Sequence, residues 1–137
     1  MGKVVDYLEK YYKKTNYNCA EAVFSAAAEA WGIEADKSKE LVKAMAGVGG
    51  GMGCQNVCGA VTGGIAALSC KMVHGDGGHT SPELMDKVRE YIAAVKETFG
   101  SELCSQLKPK YFTEEERCYH TICEVAAVLD KIYQGEN

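Results

Sequence analysis

Apolar residues along the chain recur every three to four positions, the spacing of helices rather than strands. Val4, Val5, Leu8, Tyr11 and Tyr12 predict an amphipathic helix over 3–14, broken at 15–18. Asn16 or Asn18 then caps a second helix from about Cys19, with Val23, Phe24, Ala27 and Trp31 on its apolar face and Gly32 as its stop. Asp36 or Ser38 caps a third helix carrying Leu41, Val42 and Met45. The run Gly47-Val48-Gly49-Gly50-Gly51-Met52-Gly53 interrupts the helical pattern, because glycine loses the most conformational freedom when ordered. A fourth helix is expected from Val57 or Cys58 to about Met72, with Ala60, Gly63, Gly64 and Ala67 as a face of small residues.

The second half carries clearer punctuation. A loop of glycines and histidines, residues 74–79, precedes Ser81 and Pro82, a cap followed by proline at the first helical position. That fifth helix buries Met85, Val88, Ile92 and Val95 and ends at Gly100. Ser101 caps a short helix with Leu103, Cys104 and Leu107, closed near Pro109. Thr113 and Glu116 form a capping box for the last helix, whose stripe is Ile122, Val125, Ala126, Leu129 and Ile132. No convincing strand is legible. The expected architecture is all-α: a single helical domain over 1–137, a bundle of five or six helices with a Gly-rich loop.

Composition changes this picture mainly through sulfur. Seven cysteines occur in 137 residues, an odd number. The opening residues, Met1 to Asp6, lack an apolar signal segment, so a cytoplasmic setting is expected, where thiols stay reduced and a disulfide framework is the weaker reading. A net charge of −4 leaves no basic footprint for nucleic acid. The longest weakly polar run, 57–68, is too short to insert in a membrane. The small-residue helix face makes a homodimer plausible without requiring one. Tyr7, Tyr11, Tyr12 and Tyr17 gather at the first helix and suit core or subunit packing.

Four cysteines fall where helices are expected to begin. Cys19, Cys58 and Cys104 lie in first turns, and Cys118 lies in the second turn of the last helix. A helix N-terminus favours thiolate over thiol, and thiolate is the reactive and metal-binding form. Cys54, in the glycine loop four residues before Cys58, is an extra candidate, whereas Cys70 and Cys123 read as core. No Cys-x-x-Cys occurs, which counts against a thioredoxin-like dithiol and against a zinc ribbon. Any shared site must therefore be assembled by the fold. Backbone at Gly50, Gly51, Gly53, Gly59 and Gly63 could approach sulfur or a cofactor closely. His74, His79 and His120 read as solvated residues rather than ligands. Nucleotide binding by the glycine loop is disfavoured, because it follows a helix and lacks a Gly-Lys-Ser/Thr ending.

The segment Asn18-Cys19-Ala20-Glu21-Ala22-Val23, the glycine run 49–53, the motif Cys58-Gly59-Ala60-Val61-Thr62-Gly63 and the later Cys104 and Cys118 resemble one family. It is the redox-active protein family named for its pattern of Cys, then Cys-Gly-Ala-x-x-Gly, then Cys and Cys. The resemblance implies a small, mostly helical protein whose four cysteines are redox-active. A similar domain is joined to haem-binding segments in some cytochromes, which implies an iron–sulfur cluster. The family's fourth cysteine maps to Cys118, with Cys123 close enough to compete.

Four readings stay open at this level. Cys19, Cys58, Cys104 and Cys118 hold an iron–sulfur cluster for electron transfer with a redox partner protein. Alternatively, Cys58 is a nucleophile resolved by Cys19 or Cys54 in dithiol–disulfide exchange. The third reading is a structural zinc module. The fourth is a helical interaction domain with inert core cysteines. Whether the chain is an oxidoreductase or an electron-transfer partner is not legible.

Overall fold

Nine of the twelve residues of helix α1 (Cys19–Ala30) are buried, six of them alanines, so this helix has no solvated face and lies at the centre of the molecule. The coordinates, a computed structural model, describe residues 2–135. Around α1 lie α2 (Ala35–Leu41), α3 (Gly59–Met72), α4 (Pro82–Phe99), α5 (Cys104–Tyr111) and α6 (Tyr119–Gln134). One continuous core joins all of these but α2, built from residues such as Phe24, Val61, Leu68, Tyr91, Ile122 and Leu129. The described residues contain isolated β-bridges but no sheet. Among them no helix is long and apolar enough to cross a membrane.

The tightest packing is that of α3 on α1. A Cβ placed on Gly63 would stand 2.5 Å from the Ala20 carbonyl oxygen, so only glycine lets these two backbones approach so closely. One position on, Gly64 leaves the space filled by the Tyr91 ring of α4. The fully buried Tyr91 hydroxyl donates to the Ala60 carbonyl at 3.3 Å. The chain before α1 packs on α1 and α6 and is held by a buried carboxylate. Asp130 accepts from the Val4 N–H at 2.8 Å and the Val5 N–H at 3.4 Å, the free donors at a helical start.

The all-α class expected from the pattern holds, but the bundle of five or six helices is corrected. The described residues form six α-helices and five short 3-10 or π segments. The expected helix over 3–14 is a 3-10 turn (Val4–Tyr7) followed by a π segment (Glu9–Lys13). Val4, Leu8 and Tyr12 still face inward, so its apolar stripe survives the change of winding. The third expected helix splits into α2, which starts after Glu34 rather than at Asp36 or Ser38, and a 3-10 turn at Val42–Met45. The glycine run includes one π turn, Gly51–Gln55, containing left-handed backbone at Met52 and Gly53. A further 3-10 turn, Gly78–Thr80, leads into α4.

Two boundaries near the sulfurs also move. Pro109 does not close the short helix but lies within α5, and Ser101 serves the turn before it by accepting from the Leu103 N–H at 3.0 Å. The Thr113 hydroxyl does accept from the Glu116 N–H at 3.0 Å, yet no helix starts there. Reciprocal backbone bonds between Thr113 and Arg117 close a turn instead, and Arg117 takes a φ of +54°, which no α-helix accommodates. Helix α6 therefore begins after it, with Cys118 as its N-cap. Elsewhere the punctuation works as expected. Of the two cap candidates Asn18 caps α1, with Glu21 completing a capping box not anticipated from the sequence, both bonds at 2.8 Å, and Gly100 ends α4 in the left-handed conformation.

Candidate functional site

Four helix starts place the four predicted cysteines. Cys19 is the first residue of α1, Cys58 the N-cap of α3, Cys104 the first residue of α5 and Cys118 the N-cap of α6. The last of these corrects the expected second-turn position. All four line one cavity of about 210 Å³, and none of the other three cysteines does.

Each thiol is held by a different device. Cys58 and Cys104 are stitched together by a short antiparallel bridge, Val57 opposite Leu103. On one side of it the Cys58 N–H donates to the Glu102 carbonyl at 2.8 Å. On the other the Cys104 N–H donates to the Asn56 carbonyl at 2.7 Å. This ladder joins residues nearly fifty positions apart and aligns two helix starts. Cys19 follows the Asn18 cap, whose side-chain amide also donates to the Ala46 carbonyl at 3.2 Å and ties α1 to the chain entering the glycine run. Its sulfur lies against Gly59, where any side chain would overlap it. The same glycine Cβ position lies 3.2 Å from the Gly49 Cα, so α3, α1 and the glycine run meet there. The Cys118 N–H donates to the Tyr12 hydroxyl at 3.2 Å.

Burial rather than helix polarity governs these thiols. The expectation that helix starts would favour thiolate is corrected for three of the four. Cys58 is 7% exposed, and burial, with the nearby Cys19 sulfur adding to it, pushes its pKa up to about 12. The N–H groups of Ala60 and Val61 at the α3 start pull the other way and lose. Burial also raises Cys104, and the charge of Cys19 adds to the rise. Cys118 is raised by burial, then by Cys19 and Cys104, against the opposing pull of Lys108 and Arg117. Thiolates here repel one another across the cavity, and two cations on its wall offset part of that.

The remaining predicted residues divide. Gly50 and Gly59 line the cavity, whereas Gly51, Gly53 and Gly63 do not. Gly51 packs against the Asn56 backbone, and Gly63 serves the crossing of α1 and α3. Cys54 is exposed in the glycine run, its thiol donating to the Gly51 carbonyl at 3.5 Å. Cys70, expected in the core, is exposed near the end of α3. Cys123, also expected in the core, is half-buried beside Tyr119, away from the cavity. His74, His79 and His120 are exposed and line no part of it.

Sequence reasoning missed Tyr12, Lys108, Arg117 and Thr121 as cavity residues. Tyr12 was legible as an inward position of the first helix, but nothing local announced that its hydroxyl reaches Cys118. Lys108 and Arg117 carried no signal beyond proximity to a cysteine.

The donor set suits a soft, thiophilic metal centre: four sulfurs and no carboxylate on the wall, with room for more than one ion. Among the described residues no group of three or more His, Cys, Asp or Glu side chains is placed to hold a metal ion. A tetrahedral zinc–thiolate site asks for sulfurs within about 4 Å of one another, given bonds of about 2.3 Å.

The family described as "Putative redox-active protein (C_GCAxxG_C_C)" matches residues 17–132. The chain belongs to that family. Its printed pattern writes Gly before Cys, whereas this chain reads Cys58-Gly59-Ala60-Val61-Thr62-Gly63. Searches of curated proteins and of solved structures found no match.

Proposed function

We propose that this member of the redox-active family is an electron carrier whose Cys19, Cys58, Cys104 and Cys118 hold an iron–sulfur cluster. The observation that carries the reading is the shared cavity: four cysteines from four helix starts, dispersed over a hundred residues, line one space. When bound, such a cluster supplies a one-electron couple. The chain's own residues do the rest. The four sulfurs are the ligands, and their differing supports fix the shape of the ring. Helix starts and the cations Lys108 and Arg117 favour a centre of net negative charge. Gly50 and Gly59 bring backbone to the wall without a side chain in the way. An electron carrier needs a donor and an acceptor, so a redox partner protein belongs to the proposal.

Dithiol–disulfide exchange with Cys58 as the nucleophile fits less well. An attacking sulfur should be ionised near neutral pH and reachable, and Cys58 is neither. Of its two suggested resolving partners, Cys19 lines the same cavity and Cys54 does not.

The test is iron, zinc and acid-labile sulfide content of protein purified without oxygen, with a visible spectrum. Iron and sulfide in near-equal amounts and a brown chromophore are expected. Serine at Cys19, Cys58, Cys104 or Cys118 should diminish both, and serine at Cys54, Cys70 or Cys123 should leave them intact. Zinc without sulfide would support a structural module instead. Protein free of metal would overturn the cluster reading.

A further inference from the structure

Tyr12 reaches the cavity from the far end of the sequence. It is 4% exposed, forms part of the cavity wall, and its hydroxyl oxygen accepts the Cys118 N–H across 106 positions. The residue before Cys118 grips the same tyrosine twice. The Arg117 guanidinium lies over the Tyr12 ring, 4.4 Å from its centroid, and its Nη2 donates to the Tyr12 carbonyl at 3.3 Å. Arg117 holds its left-handed backbone between these contacts and the reciprocal bonds to Thr113. Tyr12 and Arg117 thus form a clamp that sets the direction in which Cys118 leaves the turn.

A phenol hydroxyl has one proton to donate besides the lone pairs that accept. At Tyr12 the acceptor side is used by Cys118, while the proton enters no hydrogen bond among the described residues. Tyr12 shares the cavity wall with Cys19 and Cys118. A buried, uncommitted donor facing a cavity of sulfurs is the kind of outer group that tunes a metal–thiolate centre, because hydrogen bonds to sulfur stabilise the more negative, reduced state.

We infer that Tyr12 is a positioning and tuning residue of the cysteine site, anchoring Cys118 through its oxygen and donating its proton to a ligand sulfur. The tuning half rests on the cluster reading; the anchoring half is a property of the metal-free fold. Two variants separate them. Tyr12→Phe removes both oxygen and proton but keeps the ring under Arg117. Replacing Tyr12 with O-methyltyrosine keeps the oxygen as an acceptor, removes only the proton, and places its methyl group toward the cavity.

Hydrogen exchange of the Cys118 amide in the reduced, metal-free protein reads the anchor. Tyr12→Phe is expected to speed it at least tenfold, and the O-methyl variant to leave it near the wild-type rate. Spectroelectrochemical titration of the loaded proteins reads the tuning, and both variants are expected to shift to lower potential. Unchanged exchange in Tyr12→Phe overturns the anchor. Equal potentials in proteins with equal iron and sulfide overturn the tuning role alone. A wild-type protein that takes up no cluster overturns the functional reading and the tuning role with it, while the amide measurement still decides the anchor. Should Tyr12→Phe fail to fold, the O-methyl variant alone decides the tuning role, and an Arg117→Gly protein, which frees the clamp, is expected to reproduce the faster Cys118 exchange; an unchanged rate there overturns the anchor.

Discussion

Removing the Cys58 sulfur should change how the metal-free protein responds to alkaline pH. In the folded chain this thiol titrates at about 12, against 9.0 for an unperturbed cysteine. Three units correspond to about a thousandfold smaller thiolate fraction at neutral pH, or about 4 kcal/mol between the two protonation states. The folded state holds the proton more tightly than the unfolded state. Its contribution to stability is therefore full below pH 9 and is lost as pH rises from 9 toward 12. By pH 11 the loss attributable to this one group is about 3 kcal/mol. Urea unfolding of reduced, metal-free wild type and Cys58→Ala, measured from pH 7 to 11, isolates it: the wild-type curve should fall more steeply above pH 9. In parallel, site-resolved alkylation followed by mass spectrometry at pH 7.5 should find Cys58 among the slowest cysteines and the exposed Cys54 among the fastest. Parallel stability curves, or Cys58 reacting as quickly as Cys54, would refute the claim that burial outweighs the helix start.

Three further outcomes follow from packing. Gly63→Ala, a change that stabilises exposed helices, should here cost about 1–3 kcal/mol in urea unfolding, because the added methyl meets the Ala20 carbonyl. Gly59→Ala should displace the Cys19 sulfur, so iron and sulfide content should fall while circular dichroism stays helical. Asp130→Ala should leave the Val4 and Val5 N–H groups without their acceptor, costing about 1–3 kcal/mol and speeding hydrogen exchange at those two amides.

Local signals read well wherever one residue type does one physical job. Asn18, one of two cap candidates, Ser81 with Pro82, and Gly100 each marked a helix end that the structure keeps. The four cysteines were legible as a set because each sits near such an end. What was not legible came from contacts between distant segments. The winding of the first segment depends partly on Asp130, more than a hundred residues away, which takes the free N–H groups at its start. The start of α6 depends on a left-handed Arg117 steadied by Tyr12, so the Thr113–Glu116 box misled by five residues. Cys70 and Cys123 were assigned to the core as small apolar residues, and neither is fully buried. Gly63 was grouped with the sulfur site although its close neighbour is the α1 backbone.

The helix-start argument identified the right residues for an incomplete reason. The helix start does reach the Cys58 sulfur, as the lowering pull of the Ala60 and Val61 N–H groups shows. Alone it cannot ionise thiols that burial isolates from water and that stand near one another. A free thiolate at Cys58, Cys104 or Cys118 is unfavourable, so in the metal-free protein these three rest as neutral thiols. In the proposed cluster reading, the positive charge of bound iron would offset both the desolvation and the mutual repulsion. Raised thiol pKa values in the empty fold and binding of a cationic metal centre are thus two sides of one electrostatic balance. The same balance makes loading release protons, so assembly should be favoured as pH rises from 6 to 8. Cluster uptake at fixed iron and sulfide across that range checks this. Uptake independent of pH would mean that the sulfurs were already ionised, and the argument from burial would fail with it.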